Sequence, residues 1–390
     1  MSKVEKLYLE MNMFSLFRSV LDKPLISHFL RFCEAENRVN KISSYGAMVS
    51  EIYSAGGSIT DATRKILFED ENVYIKTKAR GKDVPKEISD AVRHELSVLS
   101  EFACLAVGDF KSELQLDYLS PFATGKADLA EEYNERVEQV EKYGYGIFSS
   151  YPMFRLDDNG EIKPVASADR VAVSDFIGYG AERSLVVENT RSLVEGRPSL
   201  NVLLYGDAGT GKSSTAKAVA NMFYDSGVRL IELRKDQLSR LPYIMGRICE
   251  NPLKFIIFID DLSFNKNDDN FSMLKAALEG SASVKADNAV IYATSNRRHI
   301  VKETFDDREG GDVHRNDTMQ EKLSLSDRFG LSILFAKPTK QLYLEIVHEL
   351  AKRYKLDYDL AMLDIKAEEF ALRRGNRSPR CAEQFIKSLI

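Results

Sequence analysis

The sequence predicts an α/β protein, with a parallel sheet carrying a phosphate-binding loop, flanking helices, a mainly helical domain before it and a small helical lid after it. Three observations lead there. Residues 201–214, NVLLYGDAGTGKSS, pass from an apolar run into a glycine-rich turn of the form G-x-x-x-x-G-K-[ST]. Four more short apolar runs follow, at 229–233, 255–259, 289–293 and 332–335, with 20 or more residues between neighbours for crossover helices. Outside this alternation the apolar residues recur at helical spacing, both before about residue 145 and after residue 339.

The chain of 390 residues has room for two or three domains of about 150 residues each, and its 44% hydrophobic content suffices for ordinary globular cores. No run of about 18 apolar residues occurs, and the first 20 residues mix charges into their apolar pattern without a small-residue cleavage site. The sequence therefore predicts neither a membrane span nor a signal peptide, and a cytoplasmic location is expected. Cys33, Cys104, Cys249 and Cys381 lie far apart and form no C-x-x-C pair, which speaks for reduced thiols rather than disulfides or zinc. His28 and His94 have no second ligand at metal spacing. Acidic side chains outnumber basic ones 27 to 21 over the first 165 residues, so a broad nucleic-acid surface is not implied.

In chain order, Phe14, Phe17, Val20 and Leu21 make one helical stripe, and Ile88, Val92, Leu96, Leu99 and Phe102 another. Between them, residues 72–77 (NVYIKT) alternate as a strand would. Residues 151–156 and 162–165 flank DDNG, a turn sequence, and predict a hairpin at the join between domains. The expected domains are 1–165, mainly helical; 166–338, α/β; and 339–390, the lid, whose first helix begins with Leu342, Leu344, Ile346, Val347 and Leu350.

The glycine-rich turn carries the chemistry. Gly206, Gly209 and Gly211 allow tight turning and close approach to an anion, while successive N–H groups and the positive end of the next helix face it. Residues 206–214 (Gly206, Asp207, Ala208, Gly209, Thr210, Gly211, Lys212, Ser213, Ser214) are the expected nucleotide cradle, with Lys212 between the β- and γ-phosphates and the Ser213 hydroxyl on Mg²⁺. FIIFIDD at 255–261 ends a buried strand in two carboxylates, where an open α/β sheet places ligand chemistry. Asp260 is expected to hold Mg²⁺ through water, and Asp261 to orient or deprotonate the attacking water.

The next strand ends in ATSNRR at 293–298; an amide here suits hydrogen bonding to the γ-phosphate and the water, which selects Asn296, with Thr294 and Ser295 as competitors. KLSLSDRFG at 322–330 places Arg328 just before another strand, from which a guanidinium could reach a neighbouring subunit's nucleotide. Arg380, in RRGNRSPR at 373–380, opens a lid helix and is a second candidate.

In this order the motifs resemble an AAA+ ATPase module over about residues 168–390: Walker A at 206–213, Walker B at 255–261, sensor 1 near Asn296, an arginine finger at Arg328 and sensor 2 at Arg380. The resemblance also implies that Phe176 and Ile177, in DFIG at 175–178, contact the base. The strings LLYGDAGTGKSS, FIDDLSF, YATSNRRH and KLSLSDRFG resemble, more closely, a largely bacterial AAA+ family recorded as a domain of unknown function. Two departures stand out. Asp260-Asp261 replaces the Asp-Glu of many AAA+ motors, and 235–252 offers only YIMG, inside an expected helix, where unfoldases carry a pore loop.

Together these readings imply ATP and Mg²⁺ as cofactors, an ATP-hydrolysing homo-oligomer able to close as a ring, and an unknown protein client recruited by the N-terminal domain. Two alternatives are an ATP-gated scaffold with slow hydrolysis and a nucleic-acid loader, the latter suggested by the Asp-Asp pair, Arg297-Arg298 and the lid arginines. Those arginines are better explained by the phosphates of ATP.

Overall fold

Seven strands form one sheet in the order β2-β1-β4-β5-β6-β3-β7 in the computed structural model, which describes residues 1–166, 171–263, 269–278, 286–296 and 328–390. The strands are β1 (Met153–Leu156), β2 (Ile162–Pro164), β3 (Val202–Gly206), β4 (Val228–Leu233), β5 (Lys254–Ile259), β6 (Ala289–Ser295) and β7 (Leu331–Phe335). All neighbours run parallel except β2, which returns antiparallel along β1. The α/β class expected from the alternating pattern is the class observed.

The apolar runs explain the burial. β5 is buried from Phe255 to Ile259, and Val202, Leu203 and Leu204 of β3 are fully inaccessible, as parallel strands covered on both faces require. Tyr292 of β6 fixes a covering helix, since its hydroxyl lies 2.7 Å from Thr190 Oγ1 and accepts from Asn189 Nδ2 at 3.0 Å.

Two compact units divide the chain, Met1–Ser150 and Tyr151–Ile390. The sequence reading carried the first domain through residue 165, but β1 pairs in parallel with β4 through Met153, Phe154 and Arg155, so the hairpin belongs to the sheet. Its turn forms as the DDNG sequence predicts: Asp157 Oδ1 accepts from the amides of Asn159 and Glu161, both at 2.9 Å, and Gly160 takes φ 81°.

The first unit is helical. Its nine α-helices are α1 (Lys3–Asn12), α2 (Pro24–Glu34), α3 (Arg38–Ser54), α4 (Ile59–Phe68), α5 (Val73–Ala79), α6 (Lys86–Ala103), α7 (Val107–Leu114), α8 (Leu129–Glu138) and α9 (Val140–Tyr143), among the described residues. They close over one core that includes Phe17, Phe29, Phe102 and Tyr133. The strand expected at 72–77 is instead α5. Asn72 caps it, its side chain accepting from Ile75 N at 3.0 Å and donating to Asp70 Oδ2 at 2.9 Å. A capped first turn with one buried anchor, Ile75, outweighs the period-two alternation.

In the second unit, α10 (Gly180–Val194), α11 (Lys212–Met222), α12 (Leu241–Ile248) and α13 (Asp269–Leu278) accompany the sheet. Three further helices, α14 (Lys340–Arg353), α15 (Leu360–Arg374) and α16 (Pro379–Lys387), form the lid around Tyr343, Val347, Leu363, Ala367, Phe385 and Ile386. Among the described residues no helix is long and apolar enough to cross a membrane, and the four cysteines are free thiols.

Candidate functional site

Because β3 lies between β6 and β7 and runs parallel to both, the loops leaving β3, β5 and β6 emerge at one end of the sheet. That end carries every polar motif read from 206–214, 260–261 and 294–296.

Gly206 closes β3 at φ 131°, and a Cβ there would lie 2.1 Å from the Phe335 carbonyl oxygen. Only glycine fits between β3 and β7 at this point. Gly206→Ala is therefore expected to strain the backbone by about 1–3 kcal/mol and to push β7 away, lowering Tm by roughly 2–12 °C in thermal unfolding. An unchanged Tm would show that the loop relaxes without cost.

Gly209 and Gly211 also take positive φ, 77° and 94°. They turn the loop so that α11 starts at Lys212 with its N-terminal amides facing the loop. Thr210 is fully buried and donates from Oγ1 to the Asp207 carbonyl at 2.8 Å, which stiffens the turn. Asp207 points its carboxylate away, accepting from Lys337 N at 3.0 Å, and Ala208 is exposed.

Lys212 is 6% exposed. Its ammonium donates to the carbonyls of Gly206 (2.9 Å) and Asp207 (2.7 Å) and to Asn296 Oδ1 (3.2 Å). Burial lowers its pKa from the usual lysine value, against the pull of Asp207, Asp260 and Asp261. A largely desolvated cation that carbonyl oxygens hold at the start of a helix has the chemistry to receive an anion.

Asp260 is drawn tightly into place. Its Oδ1 accepts from Ser213 Oγ and Thr294 Oγ1, both at 2.6 Å, and from the Asp261 amide at 3.1 Å. Thr294 Oγ1 in turn accepts from Asp261 N at 2.9 Å. The next residue, Asp261, takes φ 50° and is exposed, with its Oδ1 accepting from Asn296 Nδ2 at 2.9 Å. Asn296 thus bridges Lys212 and Asp261, whereas Thr294 buttresses the acidic pair, and Ser295 is buried at 2% exposure. Ser213 and Asp260 supply hard oxygen donors side by side, the donor chemistry that suits Mg²⁺.

A cavity of about 500 Å³ adjoins the loop. Gly209, Thr210, Gly211 and Ser214 line one end; Phe176 and Ile177 line it too, as does Arg380 from the lid. The lid is fastened to the loop here: the Arg380 amide donates to the Gly209 carbonyl at 3.3 Å, and Ser378 caps α16 by accepting from Cys381 N at 3.1 Å. Ile177 also packs against the lid core, and Arg353 of α14 donates to the Asp175 carbonyl at 2.7 Å.

Arg328 is not in this cluster. It precedes β7, whose first residue Leu331 pairs with Val202 at the start of β3, while the loop follows Gly206 opposite Phe335 at the other end. Four steps of about 3.3 Å from Leu331 to Phe335 put roughly 13 Å of strand between the two ends. Arg297, Arg298 and 322–327 lie outside the described residues.

Sequence reasoning missed Arg183, on the first turns of α10, which lines the same cavity with its guanidinium 4.8 Å from the Phe176 ring centre. A lone arginine in a helix has no motif that could have marked it.

A glycine-rich loop leading from a central parallel strand into α11, an acidic pair ending β5, a polar strand end on β6 and a helical lid fastened to the loop define a P-loop module of the AAA+ type. The chain belongs to the family described as "Protein of unknown function (DUF815)", whose model matches residues 149–390. Among solved structures, the Thermotoga maritima RuvB Holliday junction branch migration motor is 17% identical with a TM-score of 0.38, over 56% of this chain and 64% of that one. A mutant of RuvB gives 15% identity and a TM-score of 0.39, over 56% and 64%. The chain thus spans less than two thirds of those structures. No curated protein matches it.

Proposed function

We propose that the chain is an ATPase that binds ATP with Mg²⁺ between its α/β domain and lid and uses hydrolysis to change its conformation. The observation that carries this reading is the cavity itself, which brings the loop residues Gly209, Thr210 and Gly211, residues 176–177 and a lid arginine to one space.

Each residue then has a task. The amides of 209–213 and the Lys212 ammonium receive the phosphates, Lys212 exchanging its carbonyl partners for phosphoryl oxygens. Ser213 and Asp260 would hold Mg²⁺, which supplies charge neutralisation at the phosphates. Asp261 takes the proton of the attacking water, and Asn296, touching both Lys212 and Asp261, keeps base and γ-phosphate in register. Phe176 and Ile177 contact the base. Arg380, on the helix bonded to Gly209, links nucleotide state to lid position. Homo-oligomerisation, with Arg328 entering the neighbour's site, and recruitment of a protein client by the helical first unit complete the proposal.

The test is titration of fluorescent ATP. Lys212→Ala is expected to abolish measurable binding, because no other cation in the loop can replace its charge, while thermal unfolding still reports a folded chain. Unchanged affinity in the folded variant would mean that the loop is not the nucleotide site. Turnover near zero in wild type despite tight binding would favour the ATP-gated scaffold.

A further inference from the structure

We infer that Arg183 reads the nucleobase, recognising a purine through a ring-nitrogen acceptor while Phe176 supplies the stacking face; this rests on the nucleotide reading above and adds its specificity-determining residue. The backbone prepares the arrangement. Gly178 and Tyr179 both take positive φ, 75° and 54°, and the resulting turn carries α10 back so that Arg183 lies over Phe176.

Arg183 is unusually placed for a cation. It is 5% exposed, and among the described residues no carboxylate stands within ion-pair distance of it. Nη1 donates to the Gly178 carbonyl, but Nε is buried with no acceptor. Burial pushes its pKa down to about 10, with Glu182 and Tyr179 only partly opposing. A guanidinium carries five donors and no acceptor, so a buried one left short of acceptors is costly unless something else provides them.

The cavity provides the place. Arg183 and Phe176 line it together with Gly209, Thr210, Gly211 and Ser214, so a ligand with phosphates on the loop lies within reach of the Phe176–Arg183 pair. The two side chains also line an adjoining cavity of about 400 Å³ with Val173, Ser184 and Val187. A guanidinium over an aromatic ring is a flat, donor-only surface that matches a purine, which offers a π-surface and unprotonated ring nitrogens.

The test uses the full chain and calorimetric titration of ATP, of 1-, 3- and 7-deaza-ATP, and of inorganic tripolyphosphate. Wild type is expected to bind one deaza analogue about 10- to 100-fold more weakly than ATP, the range for a hydrogen bond from a charged donor. Arg183→Met should lower ATP affinity by the same factor, lose the discrimination between analogues and bind tripolyphosphate as wild type does. Wild type binding all three analogues as tightly as ATP would overturn the inference, as would an Arg183→Met that still discriminates or that loses ATP and tripolyphosphate equally. Should Arg183→Met fail to fold, Arg183→Lys decides: it keeps the charge without the planar fork, and retained discrimination would overturn the assignment. Wild type binding neither ATP nor tripolyphosphate would instead refute the nucleotide site itself.

Discussion

Asp261→Asn should leave ATP bound and slow its hydrolysis by about 10²- to 10⁴-fold, the contribution of a positioned general base. The substitution is local by construction. Asp261 sits at φ 50°, a left-handed position that aspartate and asparagine both tolerate, and its amide stays held by Thr294 Oγ1 and Asp260 Oδ1. Asp260 and Ser213 keep their 2.6 Å hydrogen bond, so the oxygen donors for Mg²⁺ are untouched. Lys212 keeps its place on the loop. What is lost is the carboxylate proposed to take the proton. Measured kcat and a nucleotide titration separate the two effects, and wild-type turnover in this variant would remove the role assigned to Asp261.

Arg328→Ala is expected to cut turnover by roughly 10³-fold or more while leaving ATP affinity largely intact, the signature of a withdrawn arginine finger. The strand register makes the expectation specific. Arg328 precedes the Leu331–Val202 end of the β7–β3 pair and the P-loop follows the Phe335–Gly206 end, which favours the proposed role of Arg328 in a neighbouring subunit over one in its own site. Hydrolysis should accordingly rise with protein concentration. A mixing experiment decides it: Arg328→Ala keeps Asp261 but lacks the finger, Asp261→Asn keeps the finger but lacks the base, and each alone is expected to be inactive. With random exchange in a head-to-tail ring, about a quarter of interfaces in an equal mixture pair an intact base with an intact finger. A mixture that stays inactive although its subunits exchange would show that Arg328 does not act across an interface.

The sheet and the loop were legible in the sequence because their signals are local. A strand buried on both faces must be apolar throughout, as 255–259 is, and a loop cradling phosphate must have glycine where φ is positive, as at Gly209 and Gly211. The hairpin turn was equally local, held by Asp157 and its own neighbours. Its place in the sheet was not, since pairing of Phe154 with Ile231 spans more of the chain than any periodicity reports. Residues 72–77 misled because alternation in six residues cannot reveal that Asn72 will cap a helix. At the site, the residue types were readable but their division of labour was not: three adjacent polar residues end β6, and only packing separates Thr294, on Asp260, from Asn296, on Lys212 and Asp261. Arg183 needed both the Gly178–Tyr179 turn and the position of Phe176, which no single stretch of sequence encodes.

The β1–β2 hairpin bears on how the sheet avoids joining other sheets. Without it, β4 would present an open row of backbone donors and acceptors along Leu230, Ile231 and Glu232, a template for intermolecular pairing. With it, the outermost strand is β2, only three residues long, carrying Lys163 and ending in Pro164, which has no N–H to offer. A fragment cut at residue 166, where sequence composition alone draws the boundary, would discard that guard and expose a sticky edge; one cut after Ser150 would retain it.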